Sequence, residues 1–400
     1  MQDVLIVGGG LNGPALALAL AQGGLRVTVI DARPAPDRAH PGFDGRAYAL
    51  AAGSCRMLRH LGLWDDLRAN AQPMVEIKVT DGHAGQGPSP FMLHFDSAEI
   101  EEGAMGHLIE DRHLRAALAR ALPAAGVTVI DGDAVTAQDI GAANVTLMLA
   151  SGRQATGALL VGADGRTSGT AARAGIRRTG HPYGQTAVTC AVSHALPHRG
   201  IAHQFFMPAG PLAILPLTGN RSSVVWSEGE ARAGELVTMD DEAFLDALRP
   251  AFGSFLGEIA LAGPRFSYSL GLTLAERVTA PRLALVGDAA HGLHPIAGQG
   301  LNAGLRDVAA LAQVLAQAHQ RGEDPGSPAV LDRYARWRRF DTSTLALTTD
   351  TFNRLFSNDN PLLRLIRDAG MGAVGAIPPL RRALQREAAG LTGDLPDLMR

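Results

Sequence analysis

The stretch that decides the fold is VLIVGGGLNGPALALALAQGGLRVTVID, residues 4–31. It opens with a short apolar, β-branched run of the kind that forms a buried parallel strand. Alanine and leucine over residues 15–21 favour a helix that begins near Pro14 and stops at Gly23 and Gly24. LRVTVID then predicts a second strand, so the whole stretch predicts one β-α-β unit.

The turn between the first strand and the helix carries the pattern G-x-G-x-x-G at Gly8, Gly10 and Gly13. These glycines permit a tight turn, let backbone N–H groups approach a pyrophosphate, and let the helix pack closely on the strand. Asp31 ends the second strand, where a carboxylate accepts hydrogen bonds from a ribose hydroxyl pair. The pattern therefore indicates a dinucleotide site and leaves NAD, NADP and FAD open.

Length and composition narrow the class of protein. The chain has 400 residues, 46% of them apolar, and a formal charge of −3, which fits a globular protein of two to three domains. This balance argues against disorder and against nucleic-acid binding. Of the 36 basic residues 35 are arginine, and the single lysine, Lys78, has no glycine-rich loop before it, which excludes a P-loop and a pyridoxal enzyme. Lys78 is expected to be a solvent-facing residue of a strand.

Cysteine usage and hydropathy bear on the compartment. Cys55 and Cys190 lie far apart and form no C-x-x-C, which excludes a disulfide scaffold and a redox dithiol and fits a reducing cytoplasm. Residues 4–25 contain no charge, but glycines and a proline interrupt them and no basic segment precedes them. Neither a membrane span nor a signal peptide is therefore predicted.

Two isolated arginines are candidate ligands for a diphosphate. Arg46 lies in DGRAYAL, residues 44–50, after a Gly/Pro-rich loop and before a predicted amphipathic helix. Its guanidinium suits bidentate binding of a diphosphate, and an ordinary surface arginine is an equal alternative on spacing alone. Arg112 opens the helix RHLRAALARAL, where helix capping or surface exposure is the simpler interpretation.

Short strand-like segments between turn residues fill the middle of the chain. They predict an antiparallel sheet inserted into the α/β domain, and they cover residues 73–81, 91–95, 185–194, 201–207, 211–217, 221–228 and 266–272. Between them, ALLVGADGRTS predicts a further buried strand that ends in a turn at Asp164. Ligands of open α/β sheets bind at such carboxyl ends of strands.

APRLALVGDAAHGLHPIAGQGLNAGLRDVAALAQVL, residues 280–315, is the most informative segment. A buried strand ends at Asp288, Pro295 restrains the loop that follows, and Gly298 and Gly300 open a long helix. A helix start without side chains offers N–H groups and a positive dipole to a flat, electron-rich group such as a reduced isoalloxazine. Asp288 could accept a bond from a ribityl hydroxyl, and close helix–strand packing is the plain alternative.

Asp288, His291 and His294 also raise the possibility of non-haem iron, because two histidines and a carboxylate can bind it. Their spacing runs through a flexible loop at Gly292 and fixes no facial geometry. No metal is therefore expected.

The motifs GGGLNG with Asp31, DGRAYAL, GADGRTS and VGDAAHGLHPIAGQGLNAGLRD resemble those of FAD aromatic-ring monooxygenases of the para-hydroxybenzoate hydroxylase type. HPIAGQGLNAGLRD, together with LFSNDNPLLRLIRDAGM at 355–371, resembles the ubiquinone-biosynthesis hydroxylases. The resemblance implies an α/β fold with three parts. These are a glutathione-reductase-type, Rossmann-like FAD-binding domain (1–72, 100–180 and 273–340), an inserted antiparallel-sheet substrate domain (73–99 and 181–272), and C-terminal helices (341–400).

By motif position the resemblance also implies which residues contact FAD: Gly8, Gly10, Gly13 and Asp31 at the adenosine diphosphate end, Arg46 and Arg112 at the pyrophosphate, Asp164 for FAD and the nicotinamide, Asp288 at the ribityl chain, and Pro295, Gly298, Gln299, Gly300 and Asn302 around the flavin ring. The family usually has valine and arginine after the serine of its Asp-Gly motif. Here Thr170 and Ala171 stand in those places, and Arg173 is the candidate substitute.

The activity that the resemblance implies is hydroxylation of the aromatic ring of a polyprenyl phenol in ubiquinone biosynthesis, through a flavin hydroperoxide formed from O2. The sequence has no second G-x-G-x-x-G, so the reductant is either NAD(P)H that visits transiently or a protein donor. No catalytic side chain is identified. The alternatives are a monooxygenase of a small soluble aromatic and a non-catalytic flavoprotein subunit of a biosynthetic complex.

The C-terminal part is basic. Residues 331–386 hold 10 arginines against 5 aspartates, a local charge of +5. This pattern indicates either a solvated helical face or a surface within 331–400 that contacts a membrane or a partner. The expected location is the cytoplasm, with peripheral contact at the inner membrane surface, and a homo-oligomer is left open.

Overall fold

The computed structural model describes residues 1–38, 42–83, 87–101, 103–292, 299–339 and 377–400. Its strands are β1 (Gln2–Val7), β2 (Val27–Asp31), β3 (Ala47–Ala51), β4 (Ala71–Met74), β5 (Glu76–His83), β6 (Gly87–Asp96), β7 (Gly106–Glu110), β8 (Thr128–Asp131), β9 (Val135–Ile140), β10 (Val145–Leu149), β11 (Gln154–Gly162), β12 (Arg178–His194), β13 (Ile201–Met207), β14 (Gly210–Leu217), β15 (Arg221–Gly229), β16 (Ile259–Leu261), β17 (Phe266–Ala275), β18 (Thr279–Ala280), β19 (Leu283–Leu285) and β20 (His291–Gly292). Its helices are α1 (Asn12–Gln22), α2 (Ala35–Arg38), α3 (Ala52–His60), α4 (Trp64–Leu67), α5 (Asp111–Ala124), α6 (Gly169–Arg173), α7 (Glu230–Thr238), α8 (Asp241–Phe252), α9 (Gln299–Gln320) and α10 (Pro378–Ala388).

A sheet with a parallel centre positions the predicted dinucleotide turn. Its strand order is β18-β19-β11-β1-β2-β8, with β10 added beside β11 and β9 beside β10. β1 pairs in parallel with both β2 and β11, and β11 pairs in parallel with β19. Helices α1, α5 and α9 bury their apolar sides in one core with β1, which confirms the predicted β-α-β unit. The parallel strands end at the same edge, so the turns after β1, β11 and β19 lie side by side.

A second sheet follows the order β20-β17-β12-β15-β14-β13-β5-β6, with β16 beside β12. It is antiparallel except for one pair, since β5 runs parallel to β13. One face packs against α7 and α8 through residues such as Phe205 and Phe252, and the other packs through Ala191 and Ala202 against a small sheet of order β3-β7-β4. This arrangement agrees with the predicted inserted sheet.

One local prediction was wrong. A helix was expected directly after Arg46, but residues Ala47–Ala51 form β3, and the helix α3 begins only at Ala52. β3 pairs antiparallel with β7 from Ala47, opposite Glu110, onward. This pairing overrides the helix propensity of the alanines and leucine in AYALA.

The C-terminal part is described from residue 377 onward, so the segment 341–376 of the predicted helical region lies outside the described residues. Helix α10 begins at Pro378, because proline suits the first turn of a helix. Leu391 and Met399 are buried after it. Within the described ranges, no helix is long and apolar enough to cross a membrane.

Candidate functional site

Two glycines of the first turn are required by the protein's own packing. Gly8 has φ +119°, and a Cβ atom there would lie 2.3 Å from the carbonyl oxygen of Ala163, in the neighbouring turn after β11. A Cβ atom on Gly13 would lie 1.9 Å from the carbonyl oxygen of Gly8. No side chain fits at either position.

Gly10 differs, since a Cβ atom there would meet nothing within 4 Å. A cavity of about 180 Å³ begins at Gly9 and Gly10 and extends past Val29 to Asp131, at the ends of β2 and β8. The missing side chain of Gly10 therefore leaves open space at the start of α1, as close approach of a diphosphate requires.

Asp31 faces this turn from the end of β2. Its Oδ2 accepts from the N–H of Gly9 at 2.5 Å, its Oδ1 accepts from the N–H of Arg33 at 2.7 Å, and only 8% of the residue is exposed. The carboxylate thus fixes the glycine turn relative to β2. Asp31 lies where the sequence predicts a ribose ligand.

Asn12 joins the first turn to the segment of residues 280–315, and sequence reasoning missed it. Its side chain lies between two glycines: Cβ atoms on Gly287 and Gly304 would be 2.2 and 2.4 Å from its Nδ2. Its Oδ1 is buried and has no hydrogen-bond partner among the described residues. Such an atom calls for a donor from outside the described protein atoms. The available signal was the position of Asn12 inside the glycine pattern.

Arg46 and Arg112, far apart in sequence, are brought together by the pairing of β3 with β7. The N–H of Asp111 donates to the carbonyl of Arg46 at 3.0 Å. Arg46 binds Asp44 through Nε at 2.7 Å and Asp111 through Nη2 at 3.2 Å, while Arg112 binds Glu110 through Nε at 2.7 Å. Both guanidinium groups are partly exposed and both already have carboxylate partners.

The carboxylate of Asp164 is occupied by its own turn. It accepts from Ser168 Oγ at 2.5 Å and from the N–H and Oγ1 of Thr170 at 2.9 Å each, which holds the start of α6. Arg173, the candidate substitute for the family's arginine, donates to Gln138 and to the carbonyl of Val135 on β9. Both side chains are therefore engaged in local structure.

Asp288 lies at the turn after β19, with 39% of its side chain exposed. Arg166 donates to its carboxylate through Nε at 3.2 Å, and Arg178 donates to its backbone carbonyl at 2.7 Å. Burial lowers the pKa of Arg178, against the opposing charges of Asp288 and Asp164. Sequence reasoning named neither Arg166 nor Arg178, although Arg166 stands within the Asp-Gly motif.

The start of α9 is anchored by Asn302. Its Oδ1 accepts from the N–H of Ala51 at 2.9 Å and from Ser54 Oγ at 2.8 Å, and its Nδ2 donates to the carbonyl of Ala49 at 2.8 Å. The amide therefore fixes the helix start against β3 and α3. A Cβ atom on Gly300 would meet nothing within 4 Å. Pro295, Gly298 and the side chain of Gln299 lie outside the described residues.

A buried ionic network supports the turn at Asp288. Asp307 on α9 accepts from His291 Nε2 at 2.6 Å, from Arg338 Nε at 2.7 Å and from the N–H of Gly287 at 2.9 Å. Each of the three side chains is at most 3% exposed. Burial alone would raise the pKa of Asp307, but His291 and Arg338 lower it to about 2. Burial likewise disfavours charged His291, but Asp307 raises its pKa overall.

This network also bears on the iron hypothesis. His291 binds Asp307 rather than sharing a site with Asp288, and His294 lies outside the described residues. No group of three His, Cys, Asp or Glu side chains in the described ranges is arranged to hold a metal ion.

Comparison with known proteins was made against family models, curated sequences and solved structures. A family model described as an FAD binding domain matches residues 1–345. The "Ubiquinone hydroxylase UbiL" of Rhodospirillum rubrum is 46% identical, with 100% of this chain and 92% of that protein covered. The "3-demethoxyubiquinol 3-hydroxylase" of Escherichia coli is 36% identical, with 97% and 98% covered. The crystal structure of p-nitrophenol 4-monooxygenase PnpA from Pseudomonas putida has a TM-score of 0.82 at 21% identity, over 98% of this chain and 99% of that one, which shows a shared fold.

Proposed function

Because the chain belongs to the FAD-binding family of ubiquinone-biosynthesis hydroxylases, we propose that it hydroxylates the aromatic ring of a polyprenyl phenol, with FAD as cofactor and O2 as co-substrate. The observation that carries the proposal is the meeting of three turns, after β1, β11 and β19, around Gly8 and Asn12. The substrate class is inferred from the names of the relatives, which this chain matches along nearly its whole length.

The adenosine diphosphate half of FAD fits the edge formed by β1 and β2. Gly10 would leave room for the diphosphate, the N–H groups at the start of α1 would donate to it, and Asp31 would accept from the ribose hydroxyls. Arg46 and Arg112, which stand at the ends of the β3–β7 pair, would donate to the diphosphate through the donors that their carboxylate partners leave. The buried Oδ1 of Asn12, which has no partner among the described residues, is consistent with a bound group at this edge.

The flavin half is assigned to the turn at Asp288 and the start of α9. When bound, FAD supplies the oxygen chemistry. The positive end of α9, a helix of 22 residues, would stabilise negative charge on a bound flavin. Asp288 would accept from a ribityl hydroxyl, while Asn302 and Asp307 hold the helix and the turn in register. These two are positioning residues.

The activity is tested by O2 consumption with the purified protein. The visible spectrum should show bound flavin, and a prenylated phenol should stimulate O2 uptake and be recovered as a hydroxylated product. Stimulation only by an unprenylated phenol would instead identify a monooxygenase of small soluble aromatics. Bound flavin without any substrate-stimulated uptake would identify a non-catalytic subunit. Anaerobic mixing with NADPH and with NADH shows whether a nicotinamide reduces the flavin directly.

Helix α10 supports peripheral contact with a membrane surface. Ile377, Leu380 and Leu384 are 48%, 42% and 39% exposed and follow one another at helical spacing, and α10 also carries the exposed Arg382 on its other side. This combination of apolar and basic side chains suits anionic lipid headgroups. Because residues after α10 belong to the core, substitution is a better test than deletion. Leu380→Asp with Leu384→Asp should weaken binding to anionic vesicles, and unchanged binding would refute this assignment.

We also propose that the domains divide at 1–72, 100–180 and 273–340 for the FAD-binding domain and at 73–99 and 181–272 for the substrate domain. Each large sheet draws most of its strands from one of these sets. β12 and β17 cross the boundaries, and β20 joins the second sheet although it belongs to the first set. Limited proteolysis of the FAD-loaded protein tests the division, because cleavage should concentrate between the two sets.

A further inference from the structure

A second cavity lies away from the glycine turns. It is on the face of the second sheet that packs against α7 and α8. Its volume is about 740 Å³, within the range of roughly 300–1,000 Å³ that is usual for small-molecule sites. Phe205 and Met207 of β13 form one wall and belong to the core shared with α7 and α8. Ala202, on the other face of the same strand, packs against the β3-β7-β4 sheet instead. We call this space the outer cavity.

The walls of the outer cavity are mainly apolar. Phe252 and Leu256 line it from the end of α8, and the ring of His203 lies 4.4 Å from that of Phe255. Burial, with the charge of Lys78 nearby, lowers the pKa of His203 to about 4, so this ring is neutral at physiological pH. The interior therefore suits an alkyl chain rather than a polar group.

The rim is unusual in exposing large apolar side chains. Met92, Leu196 and Phe255 line the outer cavity and are 41%, 51% and 40% exposed. Clusters of exposed large apolar side chains at a concave site commonly mark ligand binding. They extend the apolar wall outward to the solvent.

The rim also carries positive charge. Arg199 is exposed and, among the described residues, has no hydrogen-bond or ion-pair partner for its side chain. Its backbone is held at φ +54° in a turn where Gly200 N–H donates to His198 Nδ1 at 2.9 Å. Arg282, the other described non-glycine residue with positive φ, has a buried side chain bound to Asp324. Among the described residues, no comparable side-chain contact accounts for the positive φ of Arg199.

Lys78 also lines the outer cavity, but its charge is balanced by a neighbouring carboxylate. It lines the outer cavity from β5, opposite His203 on β13, and its Nζ lies 3.3 Å from Glu76. Glu76 also binds His94 at 2.8 Å. The Lys78–Glu76 pair is neutral as a unit, so Arg199 leaves the rim with a net positive charge. Lys78, expected to face the solvent, instead lines a cavity wall with 28% of its side chain exposed.

We propose that the outer cavity binds a fatty acid, with its alkyl chain against the apolar walls and its carboxylate at Arg199. The positive charge at the rim favours a ligand with an anionic head group. It gives no such advantage to an uncharged chain such as the tail of a polyprenyl substrate. The site is separated from the glycine turns by the sheet itself, so its occupation does not depend on ring hydroxylation.

The test uses the FAD-loaded protein and calorimetry with dodecanoate below its micelle concentration, with 1-dodecanol as the neutral match. Dodecanoate should bind once per chain and about three- to tenfold more tightly than dodecanol, as expected for a charged partner at an exposed rim. Decanoate, which is two methylenes shorter, should bind roughly fifteenfold more weakly. The flavin absorbance should not change on binding.

Variants place the ligand. Arg199→Gly suits the left-handed backbone and should reduce dodecanoate binding to the level of dodecanol, leaving dodecanol unaffected. Arg232→Ala, which removes an exposed arginine of α7 outside the outer cavity, is the matched control and should change neither. Ser254→Trp should block the mouth and abolish both. The proposal is overturned if dodecanoate does not bind, if acid and alcohol bind equally, or if binding survives Ser254→Trp and shifts the flavin spectrum.

Discussion

Asp307→Asn would remove the negative charge that faces Arg338 and His291. In the folded chain the Asp307 carboxylate is buried between His291 and Arg338 and also accepts from the N–H of Gly287. Asparagine keeps the volume, and its single amide oxygen can accept either the Arg338 bond now made to Oδ1 or the His291 and Gly287 bonds now made to Oδ2. Its amide nitrogen is a donor and would face groups that are themselves donors.

The cost follows from burial. Arg338 is 3% exposed and stays charged at all physiological pH values, so it would remain buried opposite a neutral side chain. Breaking a buried ion pair in this way typically costs about 3–5 kcal/mol. Asparagine keeps part of the hydrogen bonding, so we expect a loss at the lower end of this range, about 3 kcal/mol, which is a large part of a total stability of about 5–15 kcal/mol. The turn at Asp288 would loosen, and FAD affinity should fall with it.

The effect should depend on pH. The pKa of Asp307 is lowered to about 2 from its usual 3.8, so its contribution to stability is complete above about pH 4 and is lost as the pH falls toward 2. The pKa of His291 is raised from its usual 6.5, so its contribution is complete below that value and is lost as the pH rises through the folded pKa. The difference between parent and variant should therefore be largest at mildly acidic pH.

Urea unfolding of the apoprotein at pH 5.5, 7 and 9, followed by FAD titration of each form, measures both effects. Asp65→Asn is the matched control. Asp65 is 91% exposed, and its ion pair with Arg68 is long, at 3.7 Å. The control should lose less than about 1 kcal/mol. If Asp307→Asn loses no more than this control, the network does not support the turn as argued.

Three further predictions concern the cofactor site. Arg46→Lys should weaken FAD binding although charge is conserved, whereas Lys78→Arg should leave FAD binding and turnover intact; equal FAD occupancy in Arg46→Lys and the parent would contradict the placement of Arg46. Gly10→Ala should leave the unfolding free energy of the apoprotein within about 0.5 kcal/mol, since the added methyl meets no protein atom, yet lower FAD affinity tenfold or more in a fluorescence titration. Asn302→Ala should cost about 2 kcal/mol in urea unfolding, because buried groups of β3 and α3 lose their partner, and unchanged stability would count against its anchoring role.

Features governed by neighbours in sequence could be predicted. The β-α-β unit follows from apolar runs separated by glycine, and α9 follows from its apolar spacing, with Leu305, Val308 and Leu311 all buried. The misplaced helix after Arg46 shows the limit of this reasoning. AYALA is a strand because β7, about sixty residues later, pairs with it.

The partners of polar side chains could not be predicted, because they are chosen by the fold. Asp164 was predicted to serve the cofactor, and nothing in the motif spacing predicted that its carboxylate would also accept from Ser168 and Thr170. His291 was weighed with Asp288, three residues away, but its partner is Asp307, sixteen residues away on α9. Spacing in a motif locates the turn, while the direction of each side chain depends on which elements close around it.

At position 46 there is a physical reason for arginine rather than lysine. Its Nε and Nη2 bind Asp44 and Asp111, which leaves the Nη1 donors without a partner among the described residues. A guanidinium has five donors in a fixed plane, so it can satisfy a protein carboxylate and a diphosphate at once. A lysine ammonium carries its three donors on one atom, so it would have to serve both carboxylates and the diphosphate from a single point. Arginine at this position therefore lets the β3–β7 pair hold the cation in place before the cofactor binds. Less side-chain conformational entropy is then lost on binding.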